Sequence, residues 1–192
     1  ENAQAGDVSW QQVKEFVMND DTNAHLYITD SFVCADFAAL LHNRAEAAGI
    51  KTAYVSIEFA EGPAHALNAF NTTDRGLVYV DCTGPGFQSP TFGDSSGGQA
   101  ISAEYDKVAY VVVGRAYGLI TLDKATSFNY GFYEQWMQQW DDYEAKVDLY
   151  NHGSLTYKER QVLRNQIEVL RAILGDYCWE PLGIVTSVNV HW

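Results

Sequence analysis

The chain has 192 residues, of which 47% are hydrophobic and 14% aromatic, which is enough for the core of one domain, with or without an appendage. The 12 basic and 25 acidic residues give a formal net charge of −13. This charge argues against nucleic acid and anionic membrane surfaces as partners, because few cations are available to neutralise phosphates.

The acidity serves solubility or, alternatively, attracts a cationic substrate. No apolar run approaches the roughly 20 residues of a membrane-spanning helix, so no membrane insertion is expected. The three cysteines, Cys34, Cys82 and Cys178, lack the paired spacing of a structural zinc site. They permit either one disulfide, Cys82 with Cys178, or three reduced thiols, so the compartment stays open.

Two helices are predicted in the first quarter of the chain. Ser9 followed by Gln12 has the spacing of a capping box, which starts the first helix. The second helix is predicted over residues 32–48, with Asp30 or Ser31 as its cap. Its expected buried stripe comprises Cys34, Ala38, Leu41, Ala45 and Ala48.

Strand-like segments follow the second helix. They are apolar or alternate between apolar and polar residues, and they cover residues 52–59, 64–70, 76–82, 107–114 and 117–123. A loop rich in glycine, serine and proline, residues 83–106, separates the third segment from the fourth. A loop of this length in a compact domain usually covers a site or is mobile.

The C-terminal third changes in character. A helix is predicted over residues 132–150, and Thr156 with Glu159 caps a second one, so the two form an antiparallel hairpin. The aromatic stripe of the first helix, Trp136, Trp140 and Tyr143, is expected to pack on the sheet rather than to serve as a platform for sugars or peptides. The final ten residues, GIVTSVNVHW, alternate and predict an edge strand.

Helices and strands are therefore segregated, which predicts an α+β fold: N-terminal helices on an antiparallel sheet, then a helical hairpin and an edge strand. The whole chain, residues 1–192, is expected to form a single domain. Within it, a core of about residues 9–122 is followed by the hairpin and last strand at about residues 126–192.

Cys34 is the first candidate for chemistry. The unpaired backbone N–H groups and the dipole of a first helical turn favour a thiolate, and the same N–H groups could donate to an oxyanion. The alternative is that Cys34 is a small apolar residue packed into the core, since free cysteine is among the most buried residue types.

A thiol nucleophile needs a base, and His65 is the best placed of the five histidines because it opens a strand. His42 lies about 12 Å beyond Cys34 along the same helix, at 1.5 Å per residue. Asp81 ends an otherwise apolar strand, where an unpartnered carboxylate is costly. If the two strands pair across residues 70–76, His65 lies directly opposite Asp81 on one face of the sheet. Asp81 would then orient His65, whose other ring nitrogen faces the thiol.

These three segments resemble the transglutaminase-like superfamily, whose active-site architecture is related to papain-type cysteine proteases. The resemblance covers residues 27–84 and rests on FVCADFAALLHNRAEAAGIKTAYV, HALNAF and GLVYVDCTG. In that family the cysteine starts a helix that ends in a Gly-Ile pair leading into a strand. The histidine starts the following strand, and the aspartate ends the strand after that. The resemblance implies a triad of Cys34, His65 and Asp81.

The resemblance also implies an oxyanion donor before the cysteine, for which Tyr27 is the nearest candidate beside the backbone of Cys34. Two positions depart from the family pattern: Leu67 stands where an aromatic residue is common, and Cys82 stands where many members have proline. Members of the superfamily include protein cross-linkers, peptidases, deglycosylating amidases and inactive relatives, so the reaction is less specified than the fold.

The sequence therefore predicts a cysteine-dependent amide hydrolase or acyl transferase that acts on a protein or peptide through a thioester at Cys34 and needs no cofactor or metal. The alternative is an inactive module of the same fold that binds a peptide or a cell-surface glycan. A metal-dependent hydrolase would need a ligand set that the sequence does not show. Family analogy and the acidic, low-lysine composition favour a secreted or cell-surface location after removal of an export signal not present in this chain.

Overall fold

The structure, a computed structural model, describes residues 2–87 and 105–192. The helices are α1 (Trp10–Asn19), α2 (Cys34–Ala47), α3 (Tyr130–His152) and α4 (Tyr157–Leu174), with a 3₁₀ turn at Thr22–Ala24. The strands are β1 (Ala53–Phe59), β2 (His65–Thr72), β3 (Gly76–Asp81), β4 (Lys107–Tyr110), β5 (Gly118–Thr121) and β6 (Val185–His191). The predicted α+β class is confirmed.

The six strands form one antiparallel sheet in the order β5-β4-β3-β2-β1-β6. The strand predicted from the last residues is confirmed and lies at the edge, paired with β1. Because β2 and β3 occupy the middle of the sheet, the residues that end them are held by neighbours on both sides. The sheet thereby provides a rigid support for His65 and Asp81.

The predicted register between β2 and β3 is wrong by two residues. Thr72 lies opposite Gly76, which places Asn68 opposite Val80. The turn is shorter than expected because the Thr72 hydroxyl accepts from the Arg75 N–H and donates to the Gly76 carbonyl. A slip of two residues leaves every side chain on its predicted face, whereas a slip of one would have reversed them.

The capping boxes predicted for α1 and α4 are both present. The predicted cap of α2 is wrong, because the helix starts after Val33 and not after Asp30 or Ser31. Asp30 instead has a positive φ of 67° in a turn that is closed by two hydrogen bonds between Ile28 and Phe32. The carboxylate of Asp36 accepts from the Val33 N–H at 2.8 Å and so fixes the start of α2.

The first face of the sheet carries the larger of two apolar cores. Helices α1, α2 and α3 and the last residue of α4 pack there onto side chains of β2 to β5. The helical members of this core are Trp10, Val13, Val17, Leu41, Ala45, Tyr133, Trp136, Trp140, Tyr143 and Leu174. The aromatic stripe of α3 is therefore a packing surface, as predicted. In the stripe predicted for α2, Cys34 is only partly buried and Ala48 is exposed.

The second face carries a smaller core formed by residues of β1, β2, β4, β5 and β6. Tyr105, Tyr117 and Trp179 complete it from outside the strands. Its buried members are Ala53, Val55, Ile57, Leu67, Ala69, Tyr105, Ala109, Tyr117, Leu119, Trp179 and Val185. Because side chains alternate between the two faces along a strand, His65, Asp81 and Lys107 belong to this face, at one end of the sheet.

Cys34, Cys82 and Cys178 are all free thiols, so the disulfide alternative is not realised. Most of the loop predicted over residues 83–106 lies outside the described residues. Among the described residues, no helix combines the length and apolar character needed to cross a bilayer.

We predict that Gly118→Ala destabilises the protein. An added Cβ would lie 2.5 Å from the ring of Tyr133, which is buried and packed between Tyr110 and Tyr130. Overpacking of this kind costs about 1–3 kcal/mol, measurable by urea unfolding. The control is Gly6→Ala, whose Cβ meets no atom within 4 Å and which should change stability by less than about 0.5 kcal/mol. Equal effects of both changes would contradict the packing described for Tyr133.

Candidate active site

His65 and Asp81 form a buried hydrogen-bonded pair. Nε2 of His65 lies 2.8 Å from Oδ2 of Asp81, and the two residues are each 2% exposed. They are diagonal rather than directly opposed neighbours on β2 and β3, a spacing that long side chains can bridge. Both His65 and Asp81 therefore lie where the sequence analysis expected them, although the register that joins them differs.

Asp81 has two further hydrogen-bond donors. The hydroxyl of Tyr117 donates to Oδ2 at 2.9 Å, and the backbone N–H of Thr83 donates to Oδ1 at 2.9 Å. Both carboxylate oxygens are therefore satisfied, as a buried carboxylate requires. Tyr117 was not predicted as a site residue. Its segment indicated only the start of a strand and gives no local signal for a contact with Asp81.

The pair is held in its charged form. Burial alone would lower the pKa of His65, but the charge and the hydrogen bond of Asp81, with a smaller contribution from Cys34, outweigh burial and raise the pKa to about 9. Burial would likewise raise the pKa of Asp81, but the charges of His65 and Lys107 hold it well below its usual range. An imidazolium next to a carboxylate is thus the resting state at neutral pH.

Cys34, at the start of α2, interacts with His65. Burial raises the pKa of the Cys34 thiol, but His65 and the backbone amide of Ala66 more than offset burial, so that the pKa falls below its usual value. Nδ1 of His65 is buried and makes no hydrogen bond of ordinary geometry with a described residue. It is therefore free for the thiol, and such contacts often tighten only when substrate is bound.

Aromatic rings restrain the imidazole. The ring of Phe87 stacks on His65 with centroids 5.3 Å apart and an interplanar angle of 6°. The ring of Tyr117 meets His65 edge-on at 5.5 Å. Together with the hydrogen bond to Asp81, these contacts hold the imidazole in one orientation.

Tyr27, the predicted oxyanion donor, lies at this site. Its ring packs against Phe87 at 4.8 Å, and its backbone N–H donates to the Pro85 carbonyl at 2.8 Å. Partial burial and the charge of Cys34 raise the pKa of Tyr27, so its hydroxyl remains a donor. The same two causes raise the pKa of Tyr54, a second tyrosine near the thiol that the sequence analysis did not select.

Two of the other histidines have partners outside the group of Cys34, His65 and Asp81. His152 is exposed and pairs with Asp148 at 2.8 Å on α3, and His25 packs on Phe32 in the segment before α2. No group of three or more histidine, cysteine, aspartate or glutamate side chains among the described residues is arranged to hold a metal ion. The geometry thus brings together Cys34, His65 and Asp81, with Tyr27 beside them.

The chain was compared with known proteins. No protein-family model matches it, and neither a curated protein nor a solved structure gives a significant match.

We predict that the buried pair makes stability fall as the pH rises above neutrality. The folded pKa of His65 is about 9 and its ordinary value is 6.5, so its contribution is complete below about pH 6.5 and lost by about pH 9. The thiol of Cys34 would oppose this slope, so the measurement uses Cys34→Ala as background. In that background Asp81 still raises the pKa of His65, whereas the smaller contribution of Cys34 is lost. In that background the free energy of unfolding should decrease from about pH 7 to pH 9, and adding Asp81→Asn should flatten the decrease.

The matched control is Asp148→Asn, which breaks the His152–Asp148 pair of the same 2.8 Å length. That pair is exposed, so its loss should leave the slope unchanged. Asp106, whose pKa burial raises to about 7, titrates mostly below this window. An undiminished slope in the Asp81→Asn protein, measured by denaturant titration at each pH, would contradict a charged His65.

Proposed function

We propose that the protein is a cysteine-dependent amide hydrolase or acyl transferase of the transglutaminase-like type, acting on a protein or peptide through a thioester at Cys34. The observation that carries the proposal is the position of a partly buried thiol at a helix start, next to His65, which lowers the pKa of that thiol and is itself hydrogen-bonded to the buried Asp81. A cysteine kept only for packing has no need of such a pair.

The electrostatics support nucleophilic chemistry more than a structural role. Of the three thiols, only Cys34 is accessible, since Cys82 and Cys178 are buried. Burial and the nearby Asp106 raise the pKa of Cys82, the opposite of the change at Cys34. The chain thus contains one activated thiol and a buried thiol kept protonated, and activation requires the specific surroundings of Cys34.

The fold is compatible with the resemblance. The helix that begins at Cys34, the strand that begins at His65 and the strand that ends at Asp81 follow one another in the order of the superfamily. The six-stranded antiparallel sheet holds His65 and Asp81 on one face. This agreement supports the transglutaminase-like assignment as a proposal.

The reaction follows from the positions of the groups. The thiolate of Cys34 attacks an amide carbonyl carbon, forming a C–S bond while charge develops on the carbonyl oxygen. Backbone N–H groups of the first turn of α2 and the hydroxyl of Tyr27 are the donors available for that oxygen. As the C–N bond breaks, the protonated Nδ1 of His65 gives its proton to the leaving amine, and a thioester remains.

The thioester is then released by a second nucleophile. Water or an amine attacks the thioester carbonyl, His65 removes the proton, and the C–S bond breaks to regenerate the thiolate. Asp81 keeps the Nε2–H of His65 in place throughout, so that Nδ1 carries out both transfers. Water as acceptor gives a peptidase or amidase, and an amine as acceptor gives a transglutaminase.

We predict that Cys34 alkylates with iodoacetamide at a pH where ordinary thiols do not react. Rates are measured for each cysteine by peptide mass spectrometry from about pH 5.5 to pH 9.5. The wild-type rate at Cys34 should rise with a midpoint below the ordinary thiol pKa of about 8.5, because His65 lowers the pKa of this thiol. His65→Gln should lower the rate near pH 6 about tenfold and change it much less at the highest pH, where a thiol of ordinary pKa is already mostly ionised.

The control is His152→Ala, which removes an exposed histidine and should leave the profile of Cys34 as in the wild type. If Cys34 follows the profile of an ordinary thiol in the wild-type protein, the enzymatic proposal is wrong. An inactive binding module would then be the better reading of the fold.

We also predict turnover of an activated acyl donor. With p-nitrophenyl acetate, Cys34 should release p-nitrophenolate and become acetylated, which intact mass measurement detects. Adding a primary amine should divert the acetyl group to an amide if the site is an acyl transferase, and should leave acetate as the product if it is a hydrolase. Cys34→Ala supplies the background, and wild-type rates equal to this background would contradict the proposal.

A further inference from the structure

Lys107 is a buried cation at the back of the candidate active site. It is 3% exposed and lies directly opposite Asp81 in the pairing of β3 with β4. Its Nζ lies 4.6 Å from the ring centroid of Trp179 and 5.5 Å from that of Tyr105. Lysine is almost never fully buried unless it is partnered, so this placement calls for a reason.

Thr83 connects the lysine to the triad. Its backbone N–H donates to Oδ1 of Asp81 at 2.9 Å, and its carbonyl oxygen accepts from Nζ of Lys107 at 3.0 Å. A continuous chain of hydrogen bonds therefore leads from His65 through Asp81 and Thr83 to Lys107, and His65 acts in turn on Cys34. The lysine forms no direct ion pair with a carboxylate of the described residues, so its charge acts over a short distance rather than by contact.

The charges of the triad do not balance without this lysine. In the reactive form the thiolate of Cys34 and the carboxylate of Asp81 are negative and His65 is positive, which leaves one uncompensated negative charge in a buried place. Asp81 accordingly raises the pKa of the Cys34 thiol, working against its activation. Lys107 supplies the positive charge that makes the group neutral.

Asp106 is the other carboxylate near Lys107, and it is the weaker counter-charge. Burial raises the pKa of Asp106 to about 7, in spite of its hydrogen bonds with Cys82 and Asn23. Below neutral pH Asp106 is therefore mostly uncharged, while Asp81 remains ionised. Asp81, Asp106 and Cys82 are the titratable groups that act on Lys107, and burial, the largest influence, lowers the pKa of the lysine.

We propose that Lys107 is a positioning residue of the Cys34 site, whose buried charge offsets that of Asp81 and thereby lets the Cys34 thiolate form at neutral pH. The inference rests on the proposed function, because it explains how the thiol of that reaction is activated. It adds to the three triad residues a fourth that acts through Asp81 and touches no reacting atom.

The experiment compares the pH profile of Cys34 alkylation in wild type, Lys107→Met and Lys107→Gln. Methionine keeps the length of the side chain without charge, and glutamine keeps a donor for the Thr83 carbonyl without charge. Both should lower the iodoacetamide rate near pH 6 about three- to tenfold and leave it within about twofold at the highest pH. The reason is that removing a nearby buried positive charge raises the pKa of a thiol, which decreases the thiolate fraction at low pH by a factor of this order. If one variant does not fold, the other retains the test.

Three controls separate charge from packing. Lys107→Arg retains the charge and should retain most of the low-pH rate. Lys51→Met removes a lysine that also lies over an indole, 5.1 Å from the ring centroid of Trp192 and away from the triad, and should not move the profile. Asp106→Asn should leave it unchanged near pH 6, where Asp106 is mostly uncharged.

The outcomes distinguish this inference from the proposed function. An activated Cys34 in the wild type with an unchanged profile in the uncharged Lys107 variants would overturn the role of Lys107 alone. A Lys107→Arg protein as impaired as Lys107→Gln would show that packing matters and charge does not. An ordinary thiol profile in the wild type would overturn the proposed function first. A lowered melting temperature with no change in the profile would assign Lys107 to stability only.

Discussion

The hydrogen bond between His65 and Asp81 is the interaction on which the rest of the site depends. It places two ionised groups in a region that excludes water, where neither could remain charged alone. Removing one partner from such a pair usually costs more than the pair contributes, because the other is left without compensation. The surrounding sheet therefore has to hold both groups in position, and β2 and β3 do so from its centre.

Around this pair the protein arranges donors in an ordered way. Tyr117 and Thr83 also donate to Asp81, so both oxygens of its carboxylate are hydrogen-bonded. On His65, Nε2 is bonded to Asp81, whereas Nδ1 makes no ordinary hydrogen bond with a described residue and is the nitrogen left for Cys34. The direction of any proton transfer follows from this arrangement, because a histidine fixed at Nε2 can exchange protons only through Nδ1.

Much of the site could be predicted because its three main residues lie at boundaries of elements. A cysteine at a helix start, a histidine that opens a strand and an aspartate that closes one each leave a local trace in the sequence. The register between β2 and β3 was wrong by two residues, since the hydroxyl of Thr72 closes a tighter turn. A slip of two residues leaves His65 and Asp81 on the same face of the sheet, so the prediction of a shared face did not depend on the exact turn. Tyr117 could not have been predicted, because its contact with Asp81 arises from the pairing of strands that are distant in sequence.

The pairing of β6 with β1 has a consequence for how the protein acquires its structure. The contact from Thr186 to Glu58 spans 128 residues, so the chain must close a very large loop before this edge of the sheet exists. Val185 and Trp179 close the smaller core on the face that carries His65. During synthesis on the ribosome, that face stays hydrated until residues 179–185 have emerged, so the surroundings of His65 are finished only after this distant segment is available.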